Sequence, residues 1–276
     1  MKLNRILCSL LFDLFVIIKF RKFGKNQLLR NLSGAFIDGV KQKKVNLSWE
    51  KEIFYNEGLA FRAAAIASVL NDPCDLINNS NKSFKHLRYV GYGFWVGFSR
   101  HFFINKLIKN TEYIHSKNKS YSILIYDGQG FSSALFASKK KLQSMIDKSS
   151  VRSLKKTSMA IGYGRALWWR FMNGEEFNIL SGEAREAILC GMTVAACVTQ
   201  LTSKSSIEAS MLLLISQYPS HEDQILNYKN VLLKTLCEQS PKIKEKVTGM
   251  YGEHFLLEKN YEDLSRDLFK AGKYSL

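Results

Sequence analysis

Met159-Ala-Ile-Gly-Tyr-Gly-Arg-Ala-Leu-Trp-Trp-Arg170 sets two close glycines beside a lone arginine and adjacent tryptophans. Weaker copies occur along the chain as Gly58-Leu-Ala-Phe61, Gly91-Tyr-Gly-Phe94, Gly128-Gln-Gly-Phe131, Gly162-Tyr-Gly-Arg165 and Gly191-Met-Thr-Val194. Their first glycines lie 33, 37, 34 and 29 residues apart. A glycine inside a helix costs about 1 kcal/mol relative to alanine, so five recurrences imply close helix packing or close approach to a ligand. Packing is the expectation. Helix-ending turns are the competing account of the two-glycine copies, since glycine is the usual C-cap.

A fixed period of this size is the mark of stacked supersecondary units, none of which buries its apolar face alone. The expected fold is therefore all-α: stacked helical hairpins forming a tetratricopeptide-like α-solenoid or a compact α/α array. Helical spacing covers 28–42, 46–70, 84–108, 131–146, 165–172, 182–201, 206–218, 222–238 and 261–270. Tyr121 to Tyr126, YSILIY, has the β-branched and aromatic content of a strand and fits a buried helical turn equally well.

The 276 residues carry 46% hydrophobic side chains, ample for a large core. With only Pro73, Pro219 and Pro241 there is no proline-rich linker, and the chain reads as an amphipathic N-terminal helix over 1–25 followed by one helical-repeat domain over 26–276. In the N-terminal stretch Leu3, Ile6, Leu7, Leu10, Leu11, Leu14, Ile17 and Ile18 form one apolar stripe ahead of Lys19, Arg21 and Lys22. Asp13 interrupts the stripe, which is too short to cross a bilayer about 30 Å thick. Packing onto the first repeat is expected, with peripheral attachment to an anionic membrane as the alternative.

Lys and Arg outnumber Asp and Glu by 40 to 24, giving a formal charge of +16. Such a field suits membrane headgroups, a phosphorylated ligand or an acidic carrier protein; nucleic-acid binding would rest on charge alone, without a motif. Five scattered cysteines without a CxxC pair imply reduced thiols and a cytoplasmic location. The five histidines show no HExxH or HxH spacing, so no metal is expected, and no cofactor is indicated.

Glu57, Asp127 and Arg165 sit within or beside the repeated units, so stacking would bring carboxylates and a guanidinium to one face. Arg62, Tyr92, Trp95, Gln129, Trp168 and Trp169 would line the same hollow as binding groups, with the first three as candidate catalytic ones. A mostly apolar pocket with a few convergent polar groups is what a small-molecule site requires. The opposing account is an interhelical ion pair that fixes register. Asn71-Asp72-Pro-Cys-Asp75 places a proline between its aspartates and no second metal motif follows, so it reads as a turn. Gly91-Tyr-Gly93-Phe-Trp-Val-Gly97 lacks the βαβ context of a dinucleotide site.

Asp127 to Phe131, Gly162 to Trp168, Gly58 with Ala60, and Gly91 with Gly93 and Trp95 together resemble a bacterial family first noticed in enediyne biosynthetic gene clusters and carried as a domain of unknown function. The likeness spans nearly the whole chain. Ser132 stands where that family often has histidine, Val90 lies near the position of another, and Thr193 and Gln200 replace glycines in the fifth unit. The resemblance implies a role in specialised-metabolite assembly. The leading expectation is an accessory protein that binds a hydrophobic intermediate or a carrier protein. The alternative is a cyclase-like or isomerase-like enzyme, in the manner of a terpene cyclase, acting on a polyene or isoprenoid chain with Asp127 as acid.

Overall fold

The computed structural model describes residues 17–18, 20–21, 26–43, 46–70, 85–99, 123–177, 183–239, 241–252 and 267. Among them the secondary structure is helical throughout, as the period implied. Six helices form a row: α1 (Gln27–Val40), α2 (Trp49–Leu70), α3 (Lys85–Ser99), α4 (Ile123–Leu135), then α6 (Leu154–Met172) and α7 (Arg185–Thr199). The short α5 (Lys139–Asp147) joins α4 to α6, and α8 (Lys204–Gln217), α9 (Glu222–Gln239) and α10 (Pro241–Tyr251) follow the row. The stretch with strand-like composition is helical from Ile123 onward; Tyr121 and Ser122 lie outside the described residues. Leu124, Ile125 and Tyr126 are buried, and that burial overrides the local preference of the stretch.

Helix ends follow local chemistry. The side chains of Asn26, Ser138, Ser153 and Ser203 each accept a hydrogen bond from the third residue beyond them, starting α1, α5, α6 and α8. The cap at Ser138 divides what periodicity alone joins into one helix over 131–146, and the cap at Ser153 starts α6 well before Arg165. Gly174, with φ of 88°, follows the C-terminal end of α6 in the left-handed region.

The row is held by its glycines, all of them inside helices. A Cβ on Gly162 would strike the carbonyl oxygen of Asp127 on α4 and lie 2.7 Å from the amide nitrogen of Phe131. Gly130, two residues after Gly128, abuts the main chain of Met159 on α6 in return. The same reciprocity joins Gly39 to α2 and Gly58 to α1, Gly93 to α4 and Gly128 to α3, and Gly164 to α7 and Gly191 to α6. Between α2 and α3 Gly91 meets Ala60. The packing account of the repeated glycines therefore holds over the turn account.

Residues two apart in a helix stand roughly 200° apart around its axis. The first glycine of each unit thus faces the preceding helix and the second the following one. On the narrower side, about 160° wide, lie the residue before the first glycine and the residue three after it. These are Glu57 and Phe61, Val90 and Phe94, Asp127 and Phe131, Ile161 and Arg165, Cys190 and Val194, joined from α1 by Phe36 and Val40. The row curves around them: α1 touches α7, and Phe54 of α2 meets Trp169 of α6 at 5.7 Å. In the fifth unit the second glycine is Thr193, and there the alternation stops. Thr193 is buried, with its hydroxyl turned back onto the Leu189 carbonyl.

Phe20, from the N-terminal stretch, is buried against Phe36 at 5.0 Å and Phe136 at 5.7 Å. This part of the stretch packs onto the repeats, as expected; residues 1–16 lie outside the described residues. Among the described residues no helix is long and apolar enough to cross a membrane. Cys190, Cys197 and Cys237 are free and buried, whereas Cys8 and Cys74 lie outside the described residues.

Candidate functional site

The inward positions are apolar with four exceptions: Glu57, Asp127, Arg165 and Cys190. Phe36, Phe61, Phe94 and Phe131 run into one another with centroid separations of 5.1 to 5.5 Å. Arg165 lies over the face of Phe131, its guanidinium carbon 4.6 Å from the ring centroid. From there Nη1 donates to Asp127 Oδ1 at 2.8 Å and Nη2 donates to Glu57 Oε1 at 3.0 Å. Three helices, α2, α4 and α6, thus deliver one charged residue each to the rim of an aromatic interior. The side chains of Glu57 and Asp127 are 6% and 2% exposed and that of Arg165 is 11% exposed, so only a small part of the arginine side chain reaches solvent.

Two carboxylates thus share the Arg165 guanidinium. Burial pushes the Glu57 carboxyl above its usual range; Arg165 pulls it down and the neighbouring Asp127 raises it again. Glu57 therefore holds a proton more readily than an ordinary glutamate. The Cys190 thiol is held well above its normal value by burial and by the charge of Asp127, which makes it a poor nucleophile.

The other sequence-predicted residues are distributed differently. Trp168 is completely buried, and its Nε1 donates to Thr199 Oγ1 on α7 at 3.0 Å. Trp169 lies between Phe54 and Phe131, at 5.7 and 6.1 Å, and so backs the ring on which Arg165 rests. Trp95 packs edge-on to Phe61 at 5.5 Å, one shell behind the inward phenylalanines. Gln129 stands between the notch glycines of α4, on the side away from the cluster, and is buried. Arg62 on α2 is half-buried; Tyr92 belongs to α3, and its side chain lies outside the described part of the structure.

Ser132 fits against Gly97 of α3 in a helix contact and is completely buried. Val90 is an inward position next to the phenylalanines. Asn71 to Asp75 lie outside the described residues, and among those described no group of His, Cys, Asp or Glu is arranged to hold a metal ion.

Two features escape a reading of the sequence. Arg170 is buried, with Nη1 donating to the carbonyls of Ala134 at 3.1 Å and Ala137 at 2.8 Å, so it caps the end of α4 while pairing with Glu175. A crevice of about 70 Å³ opens between Leu167, Phe171, Phe177, Met192, Leu213 and Tyr218 on the α6, α7 and α8 side, apart from the charged cluster. It is far smaller than the roughly 300 Å³ at which drug-sized ligand pockets begin.

Residues 55–184 match the family described as protein of unknown function, DUF1702. The matched stretch contains Glu57, Asp127 and Arg165 together with four of the five glycine units, and it stops before Gly191. It is narrower than the near-complete likeness read from the motifs. No curated protein and no solved structure matches the chain.

Proposed function

We propose that this protein binds an elongated apolar small molecule at the rim of the aromatic interior, with the polar end of the ligand at Arg165. Its place is that of an accessory factor in specialised-metabolite assembly of the enediyne or polyketide type. One observation carries the reading: Glu57, Asp127 and Arg165, contributed by three helices, converge beside Phe131, where a small part of the Arg165 side chain reaches solvent. A buried ion cluster is weak evidence of stabilisation, because desolvation can exceed the Coulombic gain. Perturbed titratable groups gathered at one point are more often found at sites. The pathway assignment draws on the motif resemblance. An acidic carrier protein delivering the ligand fits the net charge of +16.

The test is mass spectrometry of what copurifies with the full chain. A single class of apolar compound should accompany the wild type and be lost from Arg165→Met at matched helicity. Equal loading of both proteins would reject the site.

The raised carboxyl of Glu57 favours a second reading, in which the bound chain is protonated and cyclised or isomerised. Here Glu57 is the proton donor, with Arg165 and Asp127 holding its position. Glu57→Gln would then abolish turnover with ligand affinity retained; loss of affinity alone returns the protein to the binding class.

A further inference from the structure

Few large apolar side chains reach the surface. Among the described residues they are Ile18, 53% exposed, and Leu212 and Leu213 of α8, 66% and 39% exposed. Far apart in the chain, they are brought to one end of the row by a series of contacts. Phe20 meets Phe136, just beyond α4, at 5.7 Å. Three residues later Lys139 opens α5, with its Nζ 5.9 Å from the ring centroid of Phe177. Arg170 lies over the same ring at 5.1 Å while donating to the carbonyls of Ala134 and Ala137. Phe177 in turn shares the crevice with Leu213. Asn26, the cap of α1, ties the N-terminal side to the same end by donating to the Met172 carbonyl at 3.2 Å.

This end is basic as well as apolar. Residues 17–18 and 20–21 are helical, so Ile18 stands about 200° from Phe20 and faces away from the core. Arg21, three residues after Ile18, shares its side and is exposed. Between Asp13 and Asp38 the sequence holds Lys19, Arg21, Lys22, Lys25 and Arg30 and no acid, and Leu10 to Ile17 are apolar apart from Asp13. Lys139, Lys140 and Lys141 are all exposed. They fill the first turn of α5, where a cation opposes the helix dipole, so their placement answers to something other than the stability of α5. Of the acids at this end, Glu175 is paired with Arg170 and Glu176 lines the crevice.

We infer that this end of the molecule docks on an anionic lipid bilayer, with Lys139 to Lys141 and Arg21 against the headgroups and Ile18, Leu212 and Leu213 reaching the boundary with the acyl chains. Attachment of this kind strengthens with the apolar area buried and with the attraction of basic residues to anionic lipid, and both are present here side by side. An acidic protein would satisfy the lysines and leave the exposed apolar side chains unaccounted for. A second copy of the chain would bring like charges together. Among the described residues no helix is long and apolar enough to cross the bilayer, so the contact is made from one side. The face uses no member of the Arg165 cluster.

The experiment is cosedimentation of the full-length protein with vesicles of phosphatidylcholine alone or with about 30 mol% phosphatidylserine, at about 0.15 M salt. The protein should bind the anionic vesicles and leave the neutral ones. A lysine close to an anionic leaflet is worth roughly fivefold in affinity, so Lys139→Gln, Lys140→Gln and Lys141→Gln combined should weaken binding by about 100-fold. The same triple variant should melt no lower than the wild type, since cations have left the start of a helix, and this separates lost docking from lost folding. Ile18→Ser should weaken binding by about tenfold or more, the value of burying one large apolar side chain. Absence of binding to anionic vesicles, equal binding to neutral ones, or a triple variant that binds as the wild type does overturns the inference. Binding lost with the lysines yet untouched by both Ile18→Ser and Leu212→Ser overturns the bilayer as partner and points to an acidic protein instead.

Discussion

Replacing Gly162 by alanine should lower stability, although alanine is the better helix former. The substitution gains about 1 kcal/mol of helix propensity. Against that, the new Cβ would strike the Asp127 carbonyl oxygen and lie 2.7 Å from the Phe131 nitrogen, and both are main-chain atoms of a packed helix that no rotamer change can move aside. Overpacking of this kind costs about 1 to 3 kcal/mol and sometimes more. Here it also shifts Asp127, the residue that pairs with Arg165, and breaking a buried pair costs up to about 3 to 5 kcal/mol. A net loss of about 3 kcal/mol corresponds to a fall in Tm of roughly 6 to 12 °C for a chain of this size. Gly249 and Gly34 are also helical, and nothing lies within 4 Å of a Cβ built on either. Gly249→Ala should therefore gain up to about 1 kcal/mol, a rise of roughly 2 to 4 °C. Differential scanning calorimetry of the three proteins decides the matter. If Gly162→Ala melts at or above the wild type, main-chain contact between α4 and α6 is not what positions the row.

Further outcomes follow from the cluster and its surroundings. Because the folded-state carboxyl of Glu57 is raised, its contribution to stability is complete below the ordinary carboxyl range and declines as pH rises through the folded value. The stability of the wild type relative to Glu57→Gln, measured by urea titration, should accordingly be greatest in acid and shrink toward neutral pH; a difference that grows with pH would contradict the assignment. Thr199→Val strands the buried indole N–H of Trp168 and should cost about 1 to 3 kcal/mol in the same assay. Arg170→Lys gives up the planar fork that reaches Ala134, Ala137 and Glu175 together. Its Tm should fall even though the charge is kept, and an unchanged Tm would remove Arg170 as the cap of α4.

Much of this arrangement is legible in the sequence, and its gaps have physical causes. The glycine period identifies the repeating helices, and the position of Glu57, Asp127 and Arg165 relative to the glycines is enough to bring them together. The inward rule, one residue before and three after the first glycine, becomes visible only once each notch is known to face a different neighbour. Without it Trp168, Trp169 and Trp95 look like pocket walls because they are large and adjacent to motifs. In the structure Trp168 turns to Thr199, 31 residues further on, a long-range partner that no local pattern announces. Arg170 is hidden for a similar reason, since its acceptors are carbonyl groups and every residue has one. Leu124 to Tyr126 resist assignment because a buried stretch of helix loses the polar face that would set its period.

Helices that rest main chain on main chain take their separation from covalent geometry and not from the bulk of side chains. Phenylalanine, valine, cysteine, aspartate and arginine occupy equivalent inward positions of successive units here under one frame. In such an architecture a reactive or binding centre can be written in, moved by one unit or erased through single substitutions, while the scaffold that presents it stays as it was.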